Sequence, residues 1–381
     1  MIITISPLLN KKQHSRLKQA VTAFIMLLWK DAMTDIKSLS FDELSNEIQN
    51  LGLPKFRANQ IYKWLHQSGV ASFDEMTNLS KDFRAKLNEN YFIPNCVIED
   101  KYVSKLDETV KYLFRLYDGE YVESVIMKYK YGYTICVSSQ VGCKMGCRFC
   151  ASTLAGFKRN LLPSEMESQL HAAQNDLGIR ISHIVLMGIG EPLDNYNNII
   201  KFLRTVNDEK GLNISLRDVT ISTCGIVPAI YDLMNENMPV TLTLSLHASN
   251  DKLRSTMMPV NDRWGVDEVI KACKDYANKT KRRVSFEYTL INGVNDTKVC
   301  ARELASKLHG FISHVNLIPV NDVEERGNVR SSDDTVRNFQ DTLKSLGINA
   351  TIRRTLGKDI NASCGQLRRK KNGGGSNEDC C

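Results

Sequence analysis

No stretch of the chain is long and apolar enough to cross a bilayer. The longest apolar run, Ala20 to Trp29, has ten residues, whereas a spanning helix needs about 20. Lysines precede that run, but Lys30-Asp31-Ala32-Met33 follows it instead of a small-residue cleavage site, which argues against a signal peptide. A disulfide framework is missing as well. The 11 cysteines are an odd number, scattered apart from one cluster and a Cys380-Cys381 pair, so a reducing, cytoplasmic setting is expected. There is no internal repeat and no long low-complexity segment. The excess of one charge sign is small: the net charge of +7 permits an acidic partner such as nucleic acid without demanding one. What remains is an ordinary soluble composition, 42% apolar and 24% charged over 381 residues, enough for two or three domains.

The apolar pattern divides the chain. Residues 1–32 read as an extension of uncertain status, because Met33 opens a more conventional beginning. From 33 to 95 the pattern is helical: FDELSNEIQNLGL, KFRANQIYKWLHQ and KDFRAKLNENY carry apolar residues at three- and four-residue spacing, with lysine and arginine on the polar faces. A solvated face is the ordinary reading of such charges and RNA contact the sharper one. From 96 to 133 the sequence is rich in Val, Tyr and Phe around Asp118-Gly119, which predicts antiparallel strands joined by a hairpin. From 134 to 350, six strand candidates alternate with helices: YTICVSS, SHIVLMG, DVTIST, PVTLTLSLHA, RVSFEYTLI and HVNLIPV. The helix in SEMESQLHAAQNDLG is expected to open on a capping box from Ser164 to Glu167. Repeated strand–helix units predict an α/β fold with a parallel sheet, open or curled into a barrel, and binding sites at the carboxyl ends of the strands. The segment 351–381 starts strand-like and ends in a basic tail.

One loop lacks something more specific. CKMGCRFC, from Cys143 to Cys150, has three cysteines spaced C-x3-C-x2-C and no fourth cysteine or histidine close behind. Structural zinc and ordinary electron-transfer clusters want four protein ligands. Three thiolates suit a [4Fe–4S] cube with one iron left open. A zinc ion completed by His171 or His183 and a set of unliganded thiols are the competing readings. Further along, polar residues end the strands: Gly190 and Glu191 in GIGEP, Ser222 in STC, Ser245, Leu246 and His247 in SLHASND, and Asn321 in PVND. Each alone reads as a loop cap. Together, at successive strand ends, they favour a site.

The loop resembles the radical S-adenosylmethionine (SAM) superfamily, and the match narrows with CVSSQVGC, GFKRNL, MGIGEPLDN, STCGIVP, LSLHASND, MPVNDR, NLIPVN and DINASCGQL in that order. This set is similar to the RlmN/Cfr family of radical-SAM RNA methyltransferases from about Ser38 to Leu367. The resemblance implies a partial (β/α)6 barrel with a small N-terminal helical domain and a β-hairpin extension. It implies a [4Fe–4S] cluster on Cys143, Cys147 and Cys150, and SAM held by Gly190, Glu191, Ser222, Ser245, Leu246, His247 and Asn321. Two SAM molecules are used per turnover. One methylates Cys364; the other yields a 5′-deoxyadenosyl radical that activates that methyl group to add to adenine. Glu123 matches the base that removes the proton from the attacked carbon. Cys136 matches the thiol that frees the product by forming a disulfide with Cys364. Without the resemblance, Cys136 reads as a buried small residue and Glu123 as a solvent-facing strand residue. The implied substrates are adenine C2 in 23S ribosomal RNA and in transfer RNA. The implied partners are a reductant such as flavodoxin or ferredoxin, and the implied state is monomeric. The C8-methylating branch and a non-catalytic zinc-binding RNA module are the alternatives. Cys96, Cys224, Cys273 and Cys300 read as packing thiols.

Overall fold

A computed structural model describes residues 33–321 and 323–368. The expectations for residues 1–32, the basic tail and Cys380-Cys381 lie outside the described residues. Three helices build the N-terminal unit: α1 (Phe41–Asn50), α2 (Phe56–Lys63) and α3 (Lys81–Asn90). Ser40 starts α1 with a reciprocal capping box to Glu43, which satisfies two backbone donors at once. The spaced apolar residues Leu44, Ile48, Ile61, Leu65, Phe83 and Leu87 face inward and form a small core of their own.

Two pairs of two-residue strands stand apart; the other described strands form one ten-stranded sheet. Its members are β1 (Val97–Val103), β2 (Val110–Arg115), β3 (Tyr121–Tyr129), β4 (Gly132–Cys136), β5 (Ile181–Leu186), β6 (Val219–Thr223), β7 (Thr241–Ser245), β8 (Val284–Leu290), β9 (Ser313–Pro319) and β10 (Ala350–Ile352). They lie side by side in sequence order. Strands β1 to β4 pair antiparallel; from β4 to β10 every pairing is parallel. Parallel neighbours need crossovers, and α4 (Pro163–Leu177), α5 (Tyr196–Asn207), α6 (Val227–Asn235), α7 (Asp251–Met257), α8 (Val266–Thr280), α9 (Lys298–Leu308) and α10 (Asp333–Ser345) supply them. The fold is the expected partial barrel, with two refinements. The extension before the barrel is a three-strand meander continuous with the barrel sheet, and a short seventh parallel strand, β10, follows the six foreseen.

The capping box expected from Ser164 does not form. Pro163 takes the first helical position, so α4 begins earlier and Glu165 accepts from the Leu162 N–H at 2.9 Å. Ser164 instead donates to Asp35 of the helical unit at 2.6 Å. The buried face of α4 is the seam between the two units. Glu167 accepts from His66 Nδ1 at 2.9 Å and from His171 Nε2 at 3.1 Å, and Lys37 donates to Ser168 at 3.1 Å. Gly69 has φ +65°, and a Cβ there would lie 2.3 Å from the His171 ring, so only glycine lets the units close.

Candidate active site at the carboxyl ends of the strands

The cysteine loop leaves β4 through Val137–Val141 and is bracketed by a short antiparallel pairing of Gln140-Val141 with Arg159-Asn160. Gly142 has φ +76°, and a Cβ there would meet the Gly156 carbonyl at 1.7 Å; this turn needs glycine. The loop is tied at several points. Arg148 N–H donates to Met257 O at 2.9 Å, Ala151 N–H to Gly365 O at 2.7 Å, and Arg326 to Cys150 O at 3.1 Å. Cys143, Cys147 and Cys150 line one cavity of about 960 Å³, its open mouth included. Burial pushes the Cys143 thiol up to about 12 and raises Cys147 and Cys150 as well. Thiols in that condition ionise when a metal takes the charge. Among the described residues, no three His, Cys, Asp or Glu side chains converge on one ion. In a cube each thiolate binds a different iron, whereas one tetrahedral zinc needs four ligands on a single ion. The two histidines considered for zinc do not line the cavity: His171 is held by Glu167, and His183 sits 2.8 Å from Ser182 and against Tyr131.

The strand ends bring Gly190, Glu191, Ser222, Ser245, His247 and Asn321 to the same cavity. Leu246 does not line this cavity with its side chain. Its side chain points into the barrel core, its N–H donates to Glu287 O at 3.1 Å, and its carbonyl accepts from Arg254. Alternation along the chain turns it away from its neighbours. Gly190, at φ +112°, and Gly188 are needed for loop packing: a Cβ on either would meet residues 137–140 at 2.6–2.8 Å. Glu191 is buried and accepts from Cys224 N–H at 2.7 Å and Leu193 N–H at 3.1 Å; burial raises its pKa despite these bonds. His247 adopts φ +56°, and its Nδ1 accepts from Thr289 N–H at 2.9 Å. Burial, with the Arg254 charge beside it, lowers its pKa to about 3. The ring is therefore neutral, with its proton on Nε2. Asn321 donates to Cys364 O at 3.0 Å and so holds the Cys364 loop.

Cys364 lines this cavity and also a second one behind it, together with Cys136, Tyr129, Arg353 and Leu367. Cys136 ends β4 between Val125 of β3 and Val185 of β5. Burial, with Cys364 adding to it, pushes its thiol up to about 12. Both thiols are free. Glu123 is buried on β3, where its carboxylate accepts from Arg368 N–H at 2.6 Å and lies 3.3 Å from Lys111 Nζ. Burial raises its pKa; the Lys111 charge opposes the rise. Glu123 lines neither cavity and meets the site through the segment after Cys364.

Several supporting groups escape a reading of the sequence. Arg254 is fully buried and donates to the carbonyls of Leu246, Cys224 and Ser245 at 3.1, 2.5 and 3.3 Å, clamping the ends of β6 and β7. Gln169 of α4 accepts from Ser138 N–H and donates to Ser138 O, both at 3.0 Å. Ser138 in turn donates to the Glu123 carbonyl at 2.6 Å and accepts from Ile189 N–H at 2.9 Å. Ser138 of CVSSQVGC thus locks β3 to the glycine-rich loop. Cys224 packs as expected, but it does so in the apolar floor of the first cavity.

Three cysteines and a glycine-rich loop at the carboxyl ends of a partial (β/α) barrel define a radical SAM enzyme, a class built around a [4Fe–4S] cluster and SAM. Residues 137–301 match the radical SAM superfamily model, and residues 32–93 match that of the ribosomal RNA large subunit methyltransferase N-terminal domain. A protein of Lachnoclostridium phytofermentans named probable dual-specificity RNA methyltransferase RlmN is 53% identical over 336 residues, 88% of this chain and 94% of its own length. A protein of the same name from Lachnospira eligens is 52% identical over 340 residues, 89% and 97% of the two chains. The crystal structure of a radical SAM methyltransferase from Sphaerobacter thermophilus superposes with a TM-score of 0.84 at 41% identity, covering 87% of this chain and 98% of that one. The chain belongs to the RlmN family of radical SAM RNA methyltransferases.

Proposed function

We propose that this protein methylates C2 of an adenosine in the peptidyl-transferase centre of 23S ribosomal RNA, and the adenosine 3′ of the anticodon in transfer RNA. The methyl group passes through Cys364. The observation that carries this reading is the position of Cys364 on a wall shared by two cavities. One holds the three cysteines and the strand-end polar groups; the other holds Cys136. A carrier must face both a supply and a discharge partner.

Cys143, Cys147 and Cys150 would hold the cluster, and Glu191, Ser222, Ser245, His247 and Asn321 would line the SAM site. When bound, cluster and SAM supply the methyl group and the hydrogen-abstracting radical; an sp2 adenine carbon is not nucleophilic enough for polar methylation. Cys364 carries the methyl carbon to the base. Glu123, with its pKa raised by burial, is suited to accept the proton from the attacked carbon. To do so it must let go of Arg368 N–H. Cys136 then attacks Sγ of Cys364 and frees the methylated base. The exposed lysines of the helical unit, Lys55, Lys63, Lys81 and Lys86, suit backbone phosphates. We further propose a cytoplasmic monomer reduced by a flavodoxin or ferredoxin. The test is Cys136→Ala with labelled RNA on a denaturing gel. A covalent protein–RNA adduct is expected, absent when Cys364→Ala is added; normal turnover of Cys136→Ala would overturn the assignment.

A further inference from the structure

We infer that Arg353 is the cation that stabilises the Cys136 thiolate during product release, and that it sets how fast methylated RNA leaves the protein. This rests on the role proposed for Cys136. Arg353 follows β10 directly, and its N–H donates to Leu317 O at 2.8 Å, so its backbone is fixed on the sheet. Its side chain lines both cavities. A guanidinium carries five N–H donors, and a buried one is costly unless those donors and its charge are met. Arg254 meets that demand with carbonyls at the ends of β6 and β7. Arg353 does not. Its described contacts are Met187 Sδ, a weak acceptor, at 3.7 and 3.8 Å, and Glu287 Oε2 at 3.5 Å. Glu287 Oε1 is already taken by Asn316 at 2.9 Å. The Arg353 charge is thus shared between Glu287 and the cavity that Cys136 and Cys364 also line.

The titratable and charged groups around Cys136 are Cys364 on its loop, Tyr129 on β3, and Arg353 and Arg354 after β10. Burial and Cys364 raise the thiol; Arg353 lowers it. In the release step the Cys136 thiolate forms an S–S bond to Cys364 Sγ while the Cys364 sulfur–methylene bond breaks. The electron pair of that bond goes to the methylene carbon, which takes a proton and becomes the methyl group. The two sulfurs are oxidised by two electrons and the carbon is reduced by two, so no outside oxidant is needed. The nucleophile must be the thiolate, and an opposite charge nearby favours that form by about ten- to a thousandfold.

The experiment is a chase of preformed adduct, whose decay does not depend on how fast it forms. Adduct made with Arg353→Gln should decay about ten- to a thousandfold more slowly than in the parent, and Arg353→Lys should recover most of the rate. Raising the pH from about 7 to about 9 should speed decay in Arg353→Gln about a hundredfold, as the thiolate fraction grows tenfold per pH unit. Decay of Arg353→Gln adduct at the parental rate, or slow decay indifferent to pH, would overturn the inference. Cys136→Ala, run alongside, must hold its adduct at every pH. If it makes none, the reading of Cys136 itself has failed, and the inference falls with it. Should the Gln variant not fold, Glu287→Gln in metal-free protein carries the test. Removing the competing anion should speed alkylation of Cys136 by iodoacetamide several-fold, read by peptide mass spectrometry. An unchanged or slower rate would contradict the proposal.

Discussion

Glu167→Gln tests how the helical unit is held on the barrel. Glu167 is 1% exposed and takes hydrogen bonds from His66 and His171 across the seam, at 2.9 and 3.1 Å. Burial pushes its pKa up. The charges of His66 and Lys37 and the two histidine bonds outweigh that and hold the carboxyl well below its usual range. The folded pKa is thus depressed. The stability it contributes is present above about pH 4.5 and lost as pH falls below that value. Gln keeps the shape and removes the charge, which breaks the buried His66–Glu167 pair, 2.9 Å apart, and takes away the negative charge that the buried Lys37 feels through space. Breaking a buried pair in this way costs about 3–5 kcal/mol, a shift in the docking equilibrium of about a hundredfold to a few thousandfold. Hydrogen exchange by mass spectrometry at pH 7 should show lost protection in residues 64–70 and in α4, while β6 to β9 keep theirs. Because the pair is dry, the loss should be nearly the same at low and high salt. A change under about 1 kcal/mol, or one that salt erases, would refute the reasoning.

Gly190→Ala places a Cβ 2.7–2.8 Å from Gln140 and Ser139 at φ +112°; it should cost about 1–3 kcal/mol and weaken SAM binding, and calorimetry with unchanged affinity would count against the loop's role. His247→Asn keeps the left-handed backbone, which Asn tolerates, and removes a ring with a folded pKa of about 3. The unfolded ring takes its proton near pH 6.5, so the parent loses about 2 kcal/mol between pH 7 and pH 5 on this account. Urea midpoints of metal-free protein should fall less over that range in the Asn variant. Cys147→Ala should lower the iron of anaerobically reconstituted protein from about four per chain, the content of a [4Fe–4S] cluster, and abolish SAM cleavage.

Periodicity made the architecture legible. The alternation in TLTLS and the helical spacing in FDELSNEIQN are local signals, and they survive folding because each segment buries the face its pattern marks. The strand-end rule then brought Glu191, Ser222, Ser245, His247 and Asn321 to one cavity, although they span 130 residues of chain (321 − 191). Reading stopped where a residue's work is set by backbone groups from elsewhere. Leu246 looks like part of SLH, but pleating turns it into the core. Arg254 in DKLRST reads as a solvated helix residue, because its acceptors are carbonyls of β6, β7 and the turns after them. Ser164 looked like a cap until Pro163 claimed the first helical turn. The two cavities that Cys364 joins are invisible in sequence, since Cys136 and Arg353 meet there only through the order β3–β4–β5 and the return of the chain after β10.

The central claim is tested most directly by nucleoside mass spectrometry of ribosomal and transfer RNA incubated with the reconstituted protein, SAM and a reductant. The account predicts 2-methyladenosine in both RNAs, and none with Cys364→Ala. The appearance of 8-methyladenosine instead would move the chain to the other branch. Methylation that persists undiminished in Cys364→Ala would contradict a route through that thiol.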